Sequence, residues 1–315
     1  MLTNDQSRIE GRGRLPDFIA VGPARTGTTW LHGVLYQRAS LPRGTKETRY
    51  FDSFYDKQIA WYRAYFTDCP ADRPVGEVAP TYFQKPEVRE RIARDVPNCR
   101  IICTLRDPVE RAYSTYRVFV REGETRLGFE EEVMRPDSRI RESNRYAFHL
   151  RGWQETFGAA NVATFFYDDL EADEQAYVDS ICDFLAVPRV DLAEVRQFLV
   201  RNSVRRAPRS VMVAGWAHNF RIWLKSRRAD SVVNTFDRWG VWRMFNQGKR
   251  EFPALDPATE ARMRKLFVPE VEALERLLGR DLTAWKTGRQ DSSARPSELR
   301  PLTIEHNGLE DALPR

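Results

Sequence analysis

The chain has 315 residues, 42% hydrophobic and 12% aromatic, enough for one large packed domain or two small ones. Its 50 basic and 45 acidic side chains leave a formal net charge of +5, interspersed rather than clustered, which speaks against nucleic-acid binding and suits a small anionic ligand. No run approaches the roughly 18 apolar residues of a spanning helix. The first residues are polar, and the four cysteines (Cys69, Cys99, Cys103, Cys182) form no Cys-x-x-Cys pair. The expectations are therefore a cytoplasmic chain with free thiols, no disulfides and no metal.

Residues 1–14 and the polar stretch 287–315 read as tails around a single domain over 15–286. The first element is a strand, Phe18-Ile19-Ala20-Val21, running into Gly22-Pro23-Ala24-Arg25-Thr26-Gly27. A helical pattern follows over about 28–38, with Trp30, Leu31, Val34 and Leu35 at apolar positions. An aromatic run (Arg49-Tyr50-Phe51), a helical stretch around Trp61 and Tyr65, and the strand Val75-Gly76-Glu77-Val78 come next. A helix from Pro86 leads to the strand Arg100-Ile101-Ile102-Cys103-Thr104-Leu105, and Pro108 opens another helix. A long helix over 143–157, a strand over 162–167 and a helix over 174–185 complete the series. Strands separated by helices predict a parallel α/β sheet covered on both faces. Beyond about 201 the pattern is helical, ending in a helix over 257–278. Residues 210–250 mix seven large aromatics with arginine and lysine, consistent with a helical lid, an interfacial surface giving peripheral membrane contact, or ordinary helix packing.

The Gly22 loop is the first chemical signal. Gly22-x4-Gly27 behind a strand and before a helix is the spacing of a phosphate-binding loop, whose backbone amides and helix N-terminus converge on an anion. Thr28 and Thr29 stand where an NTPase needs lysine and then a hydroxyl for magnesium, so the loop suits one phosphate held without metal. Arg25 at the loop tip places a cation where a transferred group would gain negative charge. The second signal is Leu105-Arg106-Asp107-Pro108 through Ser114 at the end of a strand. Arg106 and Ser114 lie about two helical turns apart and reach toward a second phosphate. Asp107 and Glu110 are equally explained as acids at a helix N-terminus.

Together these motifs resemble those of the sulfotransferases that use 3′-phosphoadenylyl sulfate (PAPS). Two more segments add to the likeness. Lys46-Glu47-Thr48-Arg49-Tyr50-Phe51-Asp52 and Glu77-Val78-Ala79-Pro80-Thr81-Tyr82-Phe83 are similar to segments of the glucosaminyl heparan sulfate sulfotransferases. The resemblance runs over about 17–185. It implies a P-loop-kinase-like parallel sheet flanked by helices, with a mainly helical C-terminal extension. It also implies PAPS as co-substrate. Arg25, Thr26, Gly27, Thr28, Thr29 and Trp30 would hold the 5′-phosphosulfate, Arg106 and Ser114 the 3′-phosphate, and Glu47 would be the catalytic base. Lys46, Tyr82 and His149 fall to the acceptor side. Arg205 and Arg206 correspond to a basic loop that closes on the 3′-phosphate, or else form a solvated charge run.

Alternatives stay open at this point. Glu47 could be a surface acid paired with Lys46 or Arg49, and His32 or His149 could be the base. Arg25 replaces a family lysine, which keeps the charge but rules out proton donation. Val78 replaces a family lysine linked to acceptor binding, which points to a less anionic acceptor: a small-molecule, lipid or carbohydrate alcohol. A nucleotide kinase on the same fold and a non-catalytic nucleotide-binding module are the competing functions.

Overall fold

The computed structural model describes residues 13–196 and 251–288, together with scattered positions between 215 and 239. Four strands, β1 (Phe18–Gly22), β2 (Gly76–Val78), β3 (Arg100–Leu105) and β4 (Val162–Phe166), form one sheet in the order β2-β1-β3-β4. Every pairing is parallel, with Ile19 opposite both Glu77 and Ile101, and Cys103 opposite Thr164. Parallel neighbours need crossovers, and helices supply them. Between strands run α1 (Thr28–Leu35), α2 (Pro86–Asp95), α3 (Pro108–Glu122) and α4 (Tyr146–Phe157), and after β4 come α5 (Glu174–Leu185) and the C-terminal α6 (Pro257–Leu278). The chain leaves β1 toward β2 on one side and later returns to β3 on the other. The crevice beyond the carboxyl end of β1 is therefore a topological switch point.

Strand alternation divides the interior in two. Ile19, Val21, Ile101, Cys103 and Leu105 face a core built with Val88, Ile92, Leu150, Trp153 and Leu274 from α2, α4 and α6. Phe18, Ala20, Val78 and Ile102 face the opposite core with Trp30, Leu31, Val34, Val178 and Ile181 from α1 and α5. Burying each such side chain contributes about 1.5–3 kcal/mol, which is why β1 is apolar on both faces. A third cluster joins Val109 and Ala112 of α3 to Met263 and Phe267 of α6. The C-terminal helix is thereby part of the packed body, not an appendage.

The local boundaries have local causes. Asp107 caps α3 by accepting from the amides of Val109 (2.9 Å) and Glu110 (3.1 Å), and Pro108 occupies the first turn. The long helix expected over 143–157 starts later, at Tyr146, and runs to Phe157, with a separate short helix, Arg139–Ser143, before it. Asn144 between them uses its side chain on Arg111 Nε (2.7 Å) and the Pro108 carbonyl (3.3 Å). The strand expected to run through 167 stops at Phe166, and a short helix, Tyr167–Ala172, begins there. Arg205, Arg206 and most of the aromatic-basic stretch 210–250 lie outside the described residues, as do 1–12 and 289–315. Among the described residues, no helix is long and apolar enough to cross a membrane.

Candidate active site

The loop after β1 is shaped by two glycines. Gly22 has φ +90°, and a Cβ there would lie 2.7 Å from Pro80 Cα, so the turn accepts only glycine. Gly27 (φ +87°) precedes α1, and a Cβ there would crowd the Tyr167 ring at 3.2 Å. Thr26 is fully buried, and its hydroxyl donates to the Pro23 carbonyl at 2.6 Å. Its only proton is then used, so the Thr104 hydroxyl, also 2.6 Å away, donates to it. Thr26 therefore staples the loop to β3 through its side chain. Any contact it makes with an anion is through the backbone. Thr28, Thr29 and Trp30 open α1, where amides without intrahelical partners face the crevice. The Trp30 ring itself is buried against Tyr177.

Cations gather on the α3 side. Arg25 Nε donates to Ser114 Oγ at 2.8 Å. Two residues that the resemblance divides between the two phosphates are thus in direct contact. Burial, then the positive charges of Arg121, Arg106 and Arg117, push the Arg25 guanidinium down to about 10. It stays protonated at neutral pH, but in surroundings whose net potential calls for an anion. Arg106 is held by Glu110 at 2.8 Å and lies 4.5 Å over the Tyr167 ring. Burial opposes its charge, and Glu110 and Tyr167 more than offset that.

Arg117 and Arg121, whose charges bear on Arg25, are further candidates that motif matching missed. They stand three and seven positions beyond Ser114, on the same helix face, and that spacing is the signal that could have found them. Arg111 was also missed. It is buried and donates to the Ala24 carbonyl (3.2 Å), Asn144 Oδ1 (2.7 Å) and Ser143 Oγ (2.7 Å), which locks the loop to α3.

The opposite wall is the segment before the short helix Tyr50–Ser53. Lys46 Nζ lies 3.1 Å from Glu47 Oε1 and 3.4 Å from Thr29 Oγ1. The structure thus brings Lys46, Glu47 and the start of α1 together. Lys46 supplies, from a neighbouring segment, the ammonium that the loop itself lacks. Glu47 is paired with Lys46, as the surface-acid alternative has it, but the pair sits at the mouth of the loop. His32 on α1 is pushed down to about 4, first by burial and then by Lys46, which makes it a poor proton acceptor.

Tyr82 and His149 are not brought to the crevice as open groups. Both are fully buried. Tyr82 Oη accepts from the Phe51 amide at 3.4 Å and reaches Glu77 Oε2 at 3.5 Å. His149 Nε2 lies 3.0 Å from the Glu142 carbonyl, its ring packs on Phe83, and burial lowers its pKa. Val78 packs in the core beside α1. Its neighbour Glu77 is fully buried too. Glu77 Oε1 accepts from the Thr48 amide (2.7 Å) and hydroxyl (2.6 Å), and Oε2 from Tyr62 Oη (2.9 Å).

A model of the sulfotransferase domain matches residues 15–213. The membrane-associated sulfotransferase kil1 of Dictyostelium discoideum is 36% identical over 106 residues, which is 32% of this chain and 22% of that protein. The bifunctional heparan sulfate N-deacetylase/N-sulfotransferase 4 of Mus musculus is 29% identical over 216 residues, 61% of this chain and 25% of that protein. The heparan sulfate glucosamine 3-O-sulfotransferase 6 of Mus musculus is 28% identical over 188 residues, 57% of this chain and 55% of that protein. The chain therefore spans between about a quarter and about half the length of these relatives. Among solved structures, a sulfotransferase from Alicyclobacillus acidocaldarius superposes with a TM-score of 0.60 at 22% identity, covering 87% of this chain and 99% of that one, which is a likeness of fold.

Proposed function

The chain belongs to the sulfotransferase domain family, and from that premise we propose that it transfers the sulfuryl group of PAPS to an acceptor alcohol. One observation carries the proposal. A phosphate-type loop is flanked by arginines on one wall and by the Lys46–Glu47 pair on the other. The cationic wall suits a bis-phosphorylated nucleotide. Arg106, Ser114, Arg117 and Arg121 would receive the 3′-phosphate. The amides of 24–30, with Arg25 and Lys46, would receive the 5′-phosphosulfate.

The chemistry follows from these placements. The acceptor hydroxyl attacks sulfur in line while its proton passes to a Glu47 carboxylate oxygen. The S–O bond to the 5′-phosphate breaks, and the electron pair leaves with that phosphate. Arg25 and Lys46 stabilise the charge that develops there. Neutral His32 and buried His149 are weaker candidates for the base. The acceptor side favours an alcohol less anionic than a heparan chain, because the residue at the position of the family's lysine is the core aliphatic Val78.

Labelled PAPS offered with a panel of phenols, sugars and long-chain alcohols tests the activity directly, since transfer to none of them and no release of adenosine 3′,5′-bisphosphate would refute it. Glu47→Gln tests the mechanism. It should bind adenosine 3′,5′-bisphosphate with wild-type affinity and lose about 10²–10⁴-fold in turnover. Wild-type turnover in that variant would sink the base assignment.

A further inference from the structure

We propose that Glu77 is a positioning residue for Glu47, holding the segment that bears the base by gripping Thr48 at two points; the inference rests on the assignment of Glu47 as the base. Glu77 lies on β2, the edge strand beside the one that carries the phosphate loop. Its Oε1 takes both the backbone amide and the hydroxyl of Thr48, the residue next to Glu47, at 2.7 and 2.6 Å. Two bonds to one residue fix its orientation as well as its place. Three residues further on, Pro80 packs against Gly22 so closely that a Cβ on Gly22 would lie 2.7 Å from Pro80 Cα. The same short stretch therefore braces the base segment at Glu77 and the donor loop at Pro80. It sets the gap between the two walls of the site.

A carboxylate is a costly way to satisfy one amide and two hydroxyls inside a core, where a neutral side chain could serve. The groups that face Glu77 are Thr48 and Glu47 from the base segment, Tyr62 from the helix Ile59–Arg63, Tyr82 after β2, and Cys99 before β3. None of these is a cation. All three short contacts can be donated to the carboxylate, which suits its ionised form. An ionised acceptor holds such donors about twice as strongly as a neutral one. Burial nevertheless pushes the Glu77 carboxyl up to about 7, against the pull of the Thr48 and Tyr62 hydrogen bonds, and the charge of Glu47 adds to the rise. Protonation would put a hydrogen on the carboxyl and weaken the grip on Thr48 within the physiological pH range.

The test uses the full chain and PAPS hydrolysis by water, a probe that needs no identified alcohol, together with binding of adenosine 3′,5′-bisphosphate. Wild-type turnover should fall as pH drops through about 7 and approach the level of Glu77→Gln, which resembles the protonated acid. We expect Glu77→Gln to be about tenfold slower than wild type at alkaline pH and flat across that range, and Glu77→Ala about a hundredfold slower, with nucleotide affinity within about threefold in both. The same pH limb in Glu77→Gln as in wild type would overturn the proposal, as would parallel losses of turnover and nucleotide affinity. If the Glu77 variants do not fold, Thr48→Val decides: it removes one of the two bonds and leaves the buried charge, so unchanged turnover would overturn the proposal. Loss of activity in Glu47→Gln beside wild-type behaviour in Glu77→Gln would sink only the positioning role. Full activity in Glu47→Gln would sink the base assignment itself.

Discussion

Glu77 carries charge where charge is expensive, and this has a consequence for stability. Its carboxyl is raised to about 7 in the folded chain from an ordinary 4.5, chiefly by burial. A raised value means that the folded state holds the proton more tightly than the unfolded chain does. The stabilisation this gives is fully present below about pH 4.5 and is lost as pH rises through about 7, amounting to about 3 kcal/mol. Glu77→Gln has no proton to lose. Its melting temperature should therefore gain on wild type steadily across that window, as read by calorimetry at several pH values. A constant difference would show that Glu77 does not titrate there. At this scale the sequence singled out charged groups in recognisable segments, such as Glu47, Arg25 and Arg106, as candidates. It was not informative for Glu77, because a carboxylate in an apolar strand looks the same whether it faces water or two buried tyrosines.

At the scale of the element, α3 is the part of the site that most exceeded its motif. Ser114, Arg117 and Arg121 lie along one face, and the guanidiniums of Arg117 and Arg121, with that of Arg106, hold Arg25 in a field of like charge. An anion entering this field relieves that repulsion. Hydrogen bonds to charged groups contribute about 1.5–3 kcal/mol, so Arg106→Ala and Arg121→Gln should each weaken adenosine 3′,5′-bisphosphate binding by about 10–100-fold. Titration calorimetry at two ionic strengths would measure this, with a shallower salt dependence in each variant. Unchanged affinity in both would mean that the arginines only brace α3. Helical spacing reveals which residues share a face. Which way that face points depends on how β3 seats α3 in the crevice. The late start of the helix expected over 143–157 has a similar origin, since Asn144, just before it, bonds Arg111 and the Pro108 carbonyl.

At the scale of the whole molecule, the site is supported from a distant part of the chain. Arg264 on α6 reaches Asp107 Oδ2 at 2.7 Å and the Trp285 carbonyl at 2.9 Å, where both charged side chains are nearly enclosed. Asp107 is the cap of α3, so α6 indirectly steadies the helix that carries Ser114 and the arginines. Removing one partner of a buried pair leaves the other uncompensated, at a cost of about 3–5 kcal/mol. Arg264→Ala should lower the melting temperature by several degrees and leave Asp107 without its cation. A melting temperature equal to wild type would show that α6 is not docked on α3 in solution.

The order of strands and helices and the shape of the Gly22–Gly27 loop were written locally. A strand apolar on both faces, a Gly-x4-Gly spacing and an Asp-Pro helix start depend only on a few neighbouring residues, and short-range sterics and hydrogen bonding fix them. The sequence alone therefore determined a parallel α/β chain with a loop of phosphate-binding spacing, and it singled out Arg25, Glu47, Arg106 and Ser114 as candidates. Tertiary structure decided the rest: that Arg25 meets Ser114, that Lys46 reaches both Glu47 and Thr29, that His149 and Tyr82 are enclosed, and that Glu77 grips Thr48. Three of those facts rest on contacts between residues 17 to 89 positions apart. Desolvation and charge-charge coupling act through space, so they exist only once packing has brought such residues together.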